Sequence, residues 1–172
     1  MRKSIKFLGI LLLGASLWVG CGVRYGFTGG SIPQDMKTVT VHIIENHAPI
    51  VFPTLSQTLT EGLKSRIRSQ SRLSQVSSDG DGIFEGRITD YKIGPAAVEA
   101  GTDRAALTRL TITVSIKYIN SVKPEDNFDA TFSRYKDFST AAQPIQVIEE
   151  QIVKDIVEML TEDIFNRAFA NW

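Results

Sequence analysis

The sequence predicts an α+β fold: a two-layer sandwich with two helices packed on one face of a mostly antiparallel sheet of about four to five strands. Three observations predict it. Leu107 to Ile119 alternates without a break, with Leu110, Ile112, Val114, Ile116 and Tyr118 on one side and Arg109, Thr111, Thr113, Ser115 and Lys117 on the other. Such alternation puts one face on a core and the other in water, as antiparallel sheets allow. Two further stretches carry the apolar stripe of an amphipathic helix. The order along the chain is strand, helix, three or four strands, helix. Helices with one apolar stripe each are covered most economically by sharing a sheet face.

Residues 1–20 stand outside this domain and read as an export signal. Arg2, Lys3 and Lys6 form a basic start, and Phe7 to Val19 is an apolar run. That run is too short for a membrane span and the right length for a signal core. It ends in Gly20-Cys21, which resembles a bacterial lipobox, with Trp18 at the position where leucine is usual. In such signals the cysteine thiol is acylated and the chain is cut before it. The alternative is an ordinary cleaved signal followed by a free thiol. Cys21 is the sole cysteine of the 172 residues, so no internal disulfide exists, and a lone thiol is a liability in an oxidising compartment. Two or three acyl chains anchor stably, where a single chain holds only reversibly. The chain therefore divides into a lipoprotein signal (1–20), a lipid-anchored tether (21–36) and a single domain (37–172).

Within the tether, Gly22 to Pro33 is rich in glycine and turn formers, with Tyr25 and Phe27 as docking points. Lys37 to Glu45 alternates and predicts a first strand, with Val39, Val41 and Ile43 inward and Thr38, Thr40 and His42 outward. Leu55, Leu59, Leu63 and Ile67 then recur every fourth residue and predict a helix, opened by Pro53 or Thr54. Lys64, Arg66, Arg68 and Arg72 gather towards its end, where cations suit the helix dipole. Arg72 to Ser77 reads as a short strand. Asp79-Gly80-Asp81-Gly82 reads as a hairpin turn leading to a strand from Ile83 to Ile93. The apolar set of that strand shifts between Ile88 and Tyr91, which predicts a bulge near Thr89-Asp90. Gly94 to Arg104 reads as a loop. A last strand runs from Phe128 to about Phe138. Pro144 opens the second helix, striped by Ile148, Ile152, Ile156, Leu160, Ile164 and Ala168, with Glu149, Glu150, Asp155, Glu158, Glu162 and Asp163 on its outer face.

No catalytic or metal site is legible, and no cofactor is implied. His42 and His47 lack a cysteine, aspartate or second histidine at ligand spacing. No G-x-S-x-G elbow occurs. Gly29-Gly30 and Gly80 to Gly82 lack the lysine that follows a phosphate loop. Without residues 1–20, which hold three of the 19 basic side chains and no acid, the remainder carries 16 basic and 19 acidic groups, a formal charge of −3. That balance gives no case for a nucleic-acid partner. Three surfaces remain: the polar sheet face of Arg109 to Lys117 with the helix-end cations, the acidic helix face, and the apolar end of Phe169 and Trp172. Each also reads as an ordinary solvated or core-capping surface.

Five stretches together carry a family resemblance: C-G-V-R-Y-G-F-T-G-G-S-I-P (Cys21 to Pro33), P-T-L-S-Q-T-L-T-E-G-L-K (Pro53 to Lys64), L-T-R-L-T-I-T-V (Leu107 to Val114), F-S-R-Y-K-D-F (Phe132 to Phe138) and E-D-I-F-N-R-A-F-A-N-W (Glu162 to Trp172). In order and spacing they resemble the lipopolysaccharide-assembly lipoprotein LptE, in the form found in Bacteroidetes. The resemblance implies a non-enzymatic protein anchored through Cys21 in the inner leaflet of the outer membrane and facing the periplasm. It implies a plug in the lumen of the export β-barrel LptD, aid to that barrel's assembly, and contact with lipopolysaccharide (LPS). Cationic side chains suit lipid A phosphates, so Arg66, Arg68, Arg109 and Lys117 are the candidate LPS contacts. No acidic run follows Cys21, where one would resemble a Bacteroidetes surface-export signal. The rival classes are a periplasmic scaffold or binding lipoprotein of another envelope machine, and a lipid-anchored hydrolase whose site forms only in the fold.

Overall fold

The computed structural model describes residues 32–96, 107–139 and 144–170. Cys21 with the signal and most of the tether, the greater part of the loop expected over 94–104, and Trp172 lie outside the described residues. The strands are β1 (Thr38–Val41), β2 (Glu45–Asn46), β3 (Ser74–Gln75), β4 (Gly82–Pro95), β5 (Leu107–Asn120) and β6 (Phe128–Ser139). The helices are α1 (Leu55–Gln70) and α2 (Ile145–Phe169). Among the described residues no helix is long and apolar enough to cross a membrane.

The sheet is larger than expected and mixed in direction. Its order is β3-β1-β4-β5-β6, with β2 also on β4. β4 and β5 pair antiparallel, as do β5 and β6. β1 pairs parallel with β3 and with β4, and β2 pairs parallel with β4. The cause is α1, which works as a crossover and returns the chain to the end where β1 began. Local alternation reports which face a residue occupies and carries no signal for strand direction.

The first strand is interrupted for a second reason. Ile44 is buried and Ile43 is 70% exposed, the reverse of the expected alternation. The Ile44 N–H donates to Thr60 Oγ1 (3.0 Å), and Ser56 Oγ donates to the Ile44 carbonyl (2.6 Å). Helix hydroxyls thus satisfy backbone groups that a ladder would otherwise hold, and β1 breaks from β2.

The Asp-Gly stretch is also not a hairpin turn. β3 and β4 lie on opposite sides of β1, so residues 76–81 cross it. A Cβ built at Gly80 would stand 2.7 Å from the Thr40 nitrogen, so only glycine passes here. Asp81 clips the crossing down: its carboxylate accepts from the Lys37 N–H (2.8 Å), the Thr38 N–H (2.9 Å) and Thr38 Oγ1 (2.8 Å). Thr40, expected on the wet face, is buried under this crossing and its Oγ1 accepts from the Gly80 N–H (3.1 Å).

The bulge near Thr89 is present, between Ile88 and Asp90. It lets both Ile88 and Tyr91 point inward. β4 continues through Gly94 and Pro95, which pair with Arg109 and Thr108. All five inward residues of β5 from Leu110 to Tyr118 are fully buried. α1 covers β1 to β3 and α2 covers β5 and β6, both on the same face. The helices touch where Gly62 leaves room for Val157, whose Cγ1 would lie 3.1 Å from an added Cβ. An aromatic cluster of Phe84, Tyr118, Phe128, Phe165 and Phe169 closes the end of the core where β4 begins.

The acidic face of α2 is partly engaged. β6 changes from aromatic to basic along its helix-facing side, from Phe128 and Phe132 to Arg134 and Lys136. Arg134 grips Asp163 at 2.5 and 2.6 Å, and Lys136 pairs with Asp155. Tyr91 donates to Glu149 (2.6 Å), and burial beside that carboxylate pushes the Tyr91 hydroxyl far above its ordinary pKa.

Candidate functional site

Among the described residues no element covers the face of β4, β5 and β6 turned away from both helices. The register arranges its side chains in cross-strand rows. From the β4 start these are Glu85–Lys117–Asp129, Arg87–Ser115–Thr131, Asp90–Thr113–Ser133 and Lys92–Thr111–Tyr135, and the last row pairs Arg109 with Asp137 beside Gly94. Bases and acids alternate across the rows, so the face presents many donors and acceptors without one dominant sign. The centre is hydroxylic: Thr113 Oγ1 and Ser133 Oγ lie 3.0 Å apart.

Each end of the face is organised by a cation. Arg109 makes a two-pronged contact with Asp137, Nε to Oδ1 at 2.7 Å and Nη2 to Oδ2 at 2.9 Å. Its guanidinium lies 3.8 Å over the Tyr135 ring. The planar fork suits both contacts at once. Hydrogen bonding to Asp137 holds Arg109 above its ordinary pKa, and Arg109 holds the Asp137 carboxyl below its own. At the other end Lys117 Nζ lies 3.7 Å from Glu85. It borders a shallow cavity of about 260 Å³ with Glu45, His47, Glu85, Arg87 and Asp129. His47 there pairs with Glu45 at 2.9 Å.

The four cations singled out in the sequence do not converge. Arg109 and Lys117 share the open face but stand eight residues apart on β5, about 27 Å along the strand. Arg66 lies in the helix layer, where its Nε donates to Thr161 Oγ1 (3.1 Å) and its Nη2 to the Glu158 carbonyl (3.0 Å). It ties α1 to α2. Arg68 is exposed on α1 and donates to Gln75 Oε1 (3.2 Å). Sequence reasoning missed Asp137 and Tyr135, which hold Arg109, and Glu85, which holds Lys117. The alternation of β6 carried the signal for the first two, but their register against β5 is a tertiary fact.

The chemistry available is recognition by hydrogen bonds and paired charges. Among the described residues no group of His, Cys, Asp and Glu could hold a metal ion. His42 is exposed just past β1, and His47 engages Glu45.

The comparisons with known proteins bear on both fold and family. No curated protein matches the chain in sequence. In structure the chain is similar to a minor lipoprotein from Acinetobacter baumannii, with a TM-score of 0.50 and 13% identity over 77% of this chain and 91% of that one. It is also similar to rare lipoprotein B from Shewanella oneidensis, with a TM-score of 0.48 and 14% identity over 76% of this chain and 92% of that one. At such identities the first likeness speaks for the fold alone. The family described as LptE, lipopolysaccharide-assembly, has a model that matches residues 36–168, nearly all of the described domain. The chain therefore belongs to the LptE lipopolysaccharide-assembly family.

Proposed function

We propose that the protein is a non-enzymatic outer-membrane lipoprotein that plugs an LptD-type export β-barrel and aids its assembly. The observation that carries this reading is the open face of β4 to β6, a broad polar sheet surface that no described element covers, in a chain of this family. The interior of an outer-membrane barrel is polar, and rows of threonine, serine and paired charges complement such a wall. Two of its cations already have partners within the face, Arg109 on Asp137 and Lys117 beside Glu85.

Cys21 would carry the acyl anchor and hold the domain at the periplasmic side of the outer membrane. LPS would meet cationic side chains. Arg68, Arg109 and Lys117 are the candidates with solvent access, whereas Arg66 serves the helix pair first. Since the three lie far apart, they would act as successive contacts along a path, not as one pocket.

The test is affinity purification of the detergent-solubilised, lipidated protein with mass spectrometry of what it retains. A large outer-membrane β-barrel in stoichiometric amount supports the plug. A folded, lipidated protein that retains no barrel overturns it and favours a scaffold of another envelope machine.

A further inference from the structure

We infer that the protein has a second docking site, a groove between α1 and the free edge of β1 that accepts an extended, acidic segment of a partner protein as an added strand. The groove encloses about 480 Å³ and is bordered by Val41, His42, Ile43, Lys64, Arg68 and Val76. It lies at the opposite side of the sheet from β6.

The backbone sets the occupant's conformation. In a parallel ladder alternate residues bond to alternate sides. The His42 N–H donates to the Phe84 carbonyl (3.0 Å), so Val41, registered against Phe84, directs its backbone groups away from β4. On that side β3 pairs with Thr38 and Val39 only, and the last bond runs from the Val76 N–H to the Val39 carbonyl (3.0 Å). Beyond it the backbone of Val41 and Ile43 meets no protein partner among the described residues. Edges of this kind are ordinarily blunted by lysine, proline or a bulge. This one instead exposes Ile43 (70%) and Val76 (37%). A strand laid there extends the sheet, the mode known as β-augmentation.

Charge sets the occupant's chemistry. Lys64 and Arg68 line the α1 wall, with Glu61 the sole acid bordering the groove among the described residues. Glu61 engages Lys64 at 2.9 Å. Arg68 contacts only the neutral Gln75, so its charge has no counter-ion in the groove. A carboxylate on the incoming strand would supply one. The chain's own residues 22–31 carry Arg24 and no acid, and a second copy pairing edge to edge would face this cationic groove with its own. Both are electrostatically disfavoured occupants.

The test uses the full-length chain in detergent, with amide exchange at Val41 and Ile43 read by NMR. The probes are a short peptide alternating glutamate and valine and its lysine–valine counterpart. The glutamate peptide is expected to slow both amides at least about tenfold, and the lysine peptide to leave them unchanged. Arg68→Glu should reverse the preference. No protection, or equal protection by both peptides, overturns the inference. So does slow exchange without peptide: if it depends on protein concentration the occupant is a second copy, and if not it is the chain's own tether.

Discussion

Gly80→Ala probes the crossing of β1 directly. The new methyl would lie 2.7 Å from the Thr40 nitrogen, 2.8 Å from the Val39 carbonyl carbon and 2.9 Å from Thr40 Oγ1. The first two are backbone atoms inside a sheet and cannot step aside, so the crossing must lift. Overpacking of this kind costs about 1–3 kcal/mol. Lifting also strains the bond from the Gly80 N–H to Thr40 Oγ1 and the Asp81 bonds to Lys37 and Thr38, and one lost neutral bond adds about 1 kcal/mol. The expected loss is about 2–4 kcal/mol, which in a domain of this size lowers Tm by roughly 5–15 °C. Gly94→Ala is the control, since a Cβ there meets nothing within 4 Å and the residue sits in β4. It should be neutral or stabilising by up to about 1 kcal/mol, through the entropy of the unfolded chain. Urea denaturation and calorimetry measure both variants. A Gly80→Ala protein within about 0.5 kcal/mol of wild type, at the edge of ordinary surface effects, would refute the crossing.

Asp81 has its carboxyl lowered from an ordinary pKa of 3.8 by hydrogen bonds from Lys37 and Thr38, so its contribution is complete above that value and fades as pH falls through the lower folded value. Asp81→Asn should therefore be less stable than wild type at neutral pH, with the gap closing below about pH 4 in denaturation curves. Tyr91→Phe removes the donor to Glu149 and should cost about 1–2 kcal/mol by urea titration, with the sheet unchanged by circular dichroism. Arg66→Ala should lower stability by about 1–2 kcal/mol and leave LPS binding by the isolated protein within experimental scatter, because its donors face Thr161 and Glu158. A variant that kept its stability and lost LPS binding would instead place Arg66 among the LPS contacts.

Elements with long, clean periodicity were legible before the fold was known. β5 is the clearest case: every residue placed inward by alternation is buried, because both of its neighbours extend along its length. The bulge in β4 was legible for the same reason, since a change of parity between Ile88 and Tyr91 needs an extra residue. The region around β1 was not. Ile43 and Ile44 are equally apolar, and hydroxyls on α1 decide which one turns inward. Asp-Gly-Asp-Gly supports a turn or a crossing equally well, and only the strand order distinguishes them. Of the candidate site, one side of the open face could be read from β5 alone. The partners that neutralise it, Asp137 on β6 and Glu85 on β4, depended on registers that no local pattern fixes.

If the protein plugs a barrel, the open face of β4 to β6 lies against that barrel's inner wall. The most direct measurement places a photo-crosslinking amino acid at Thr113, in the hydroxylic centre of that face, in the full lipidated chain within cells. One dominant adduct is expected, a large outer-membrane β-barrel identified by mass spectrometry. A folded, lipidated protein that yields no barrel adduct from Thr113, or an adduct with a different envelope protein alone, would contradict that placement.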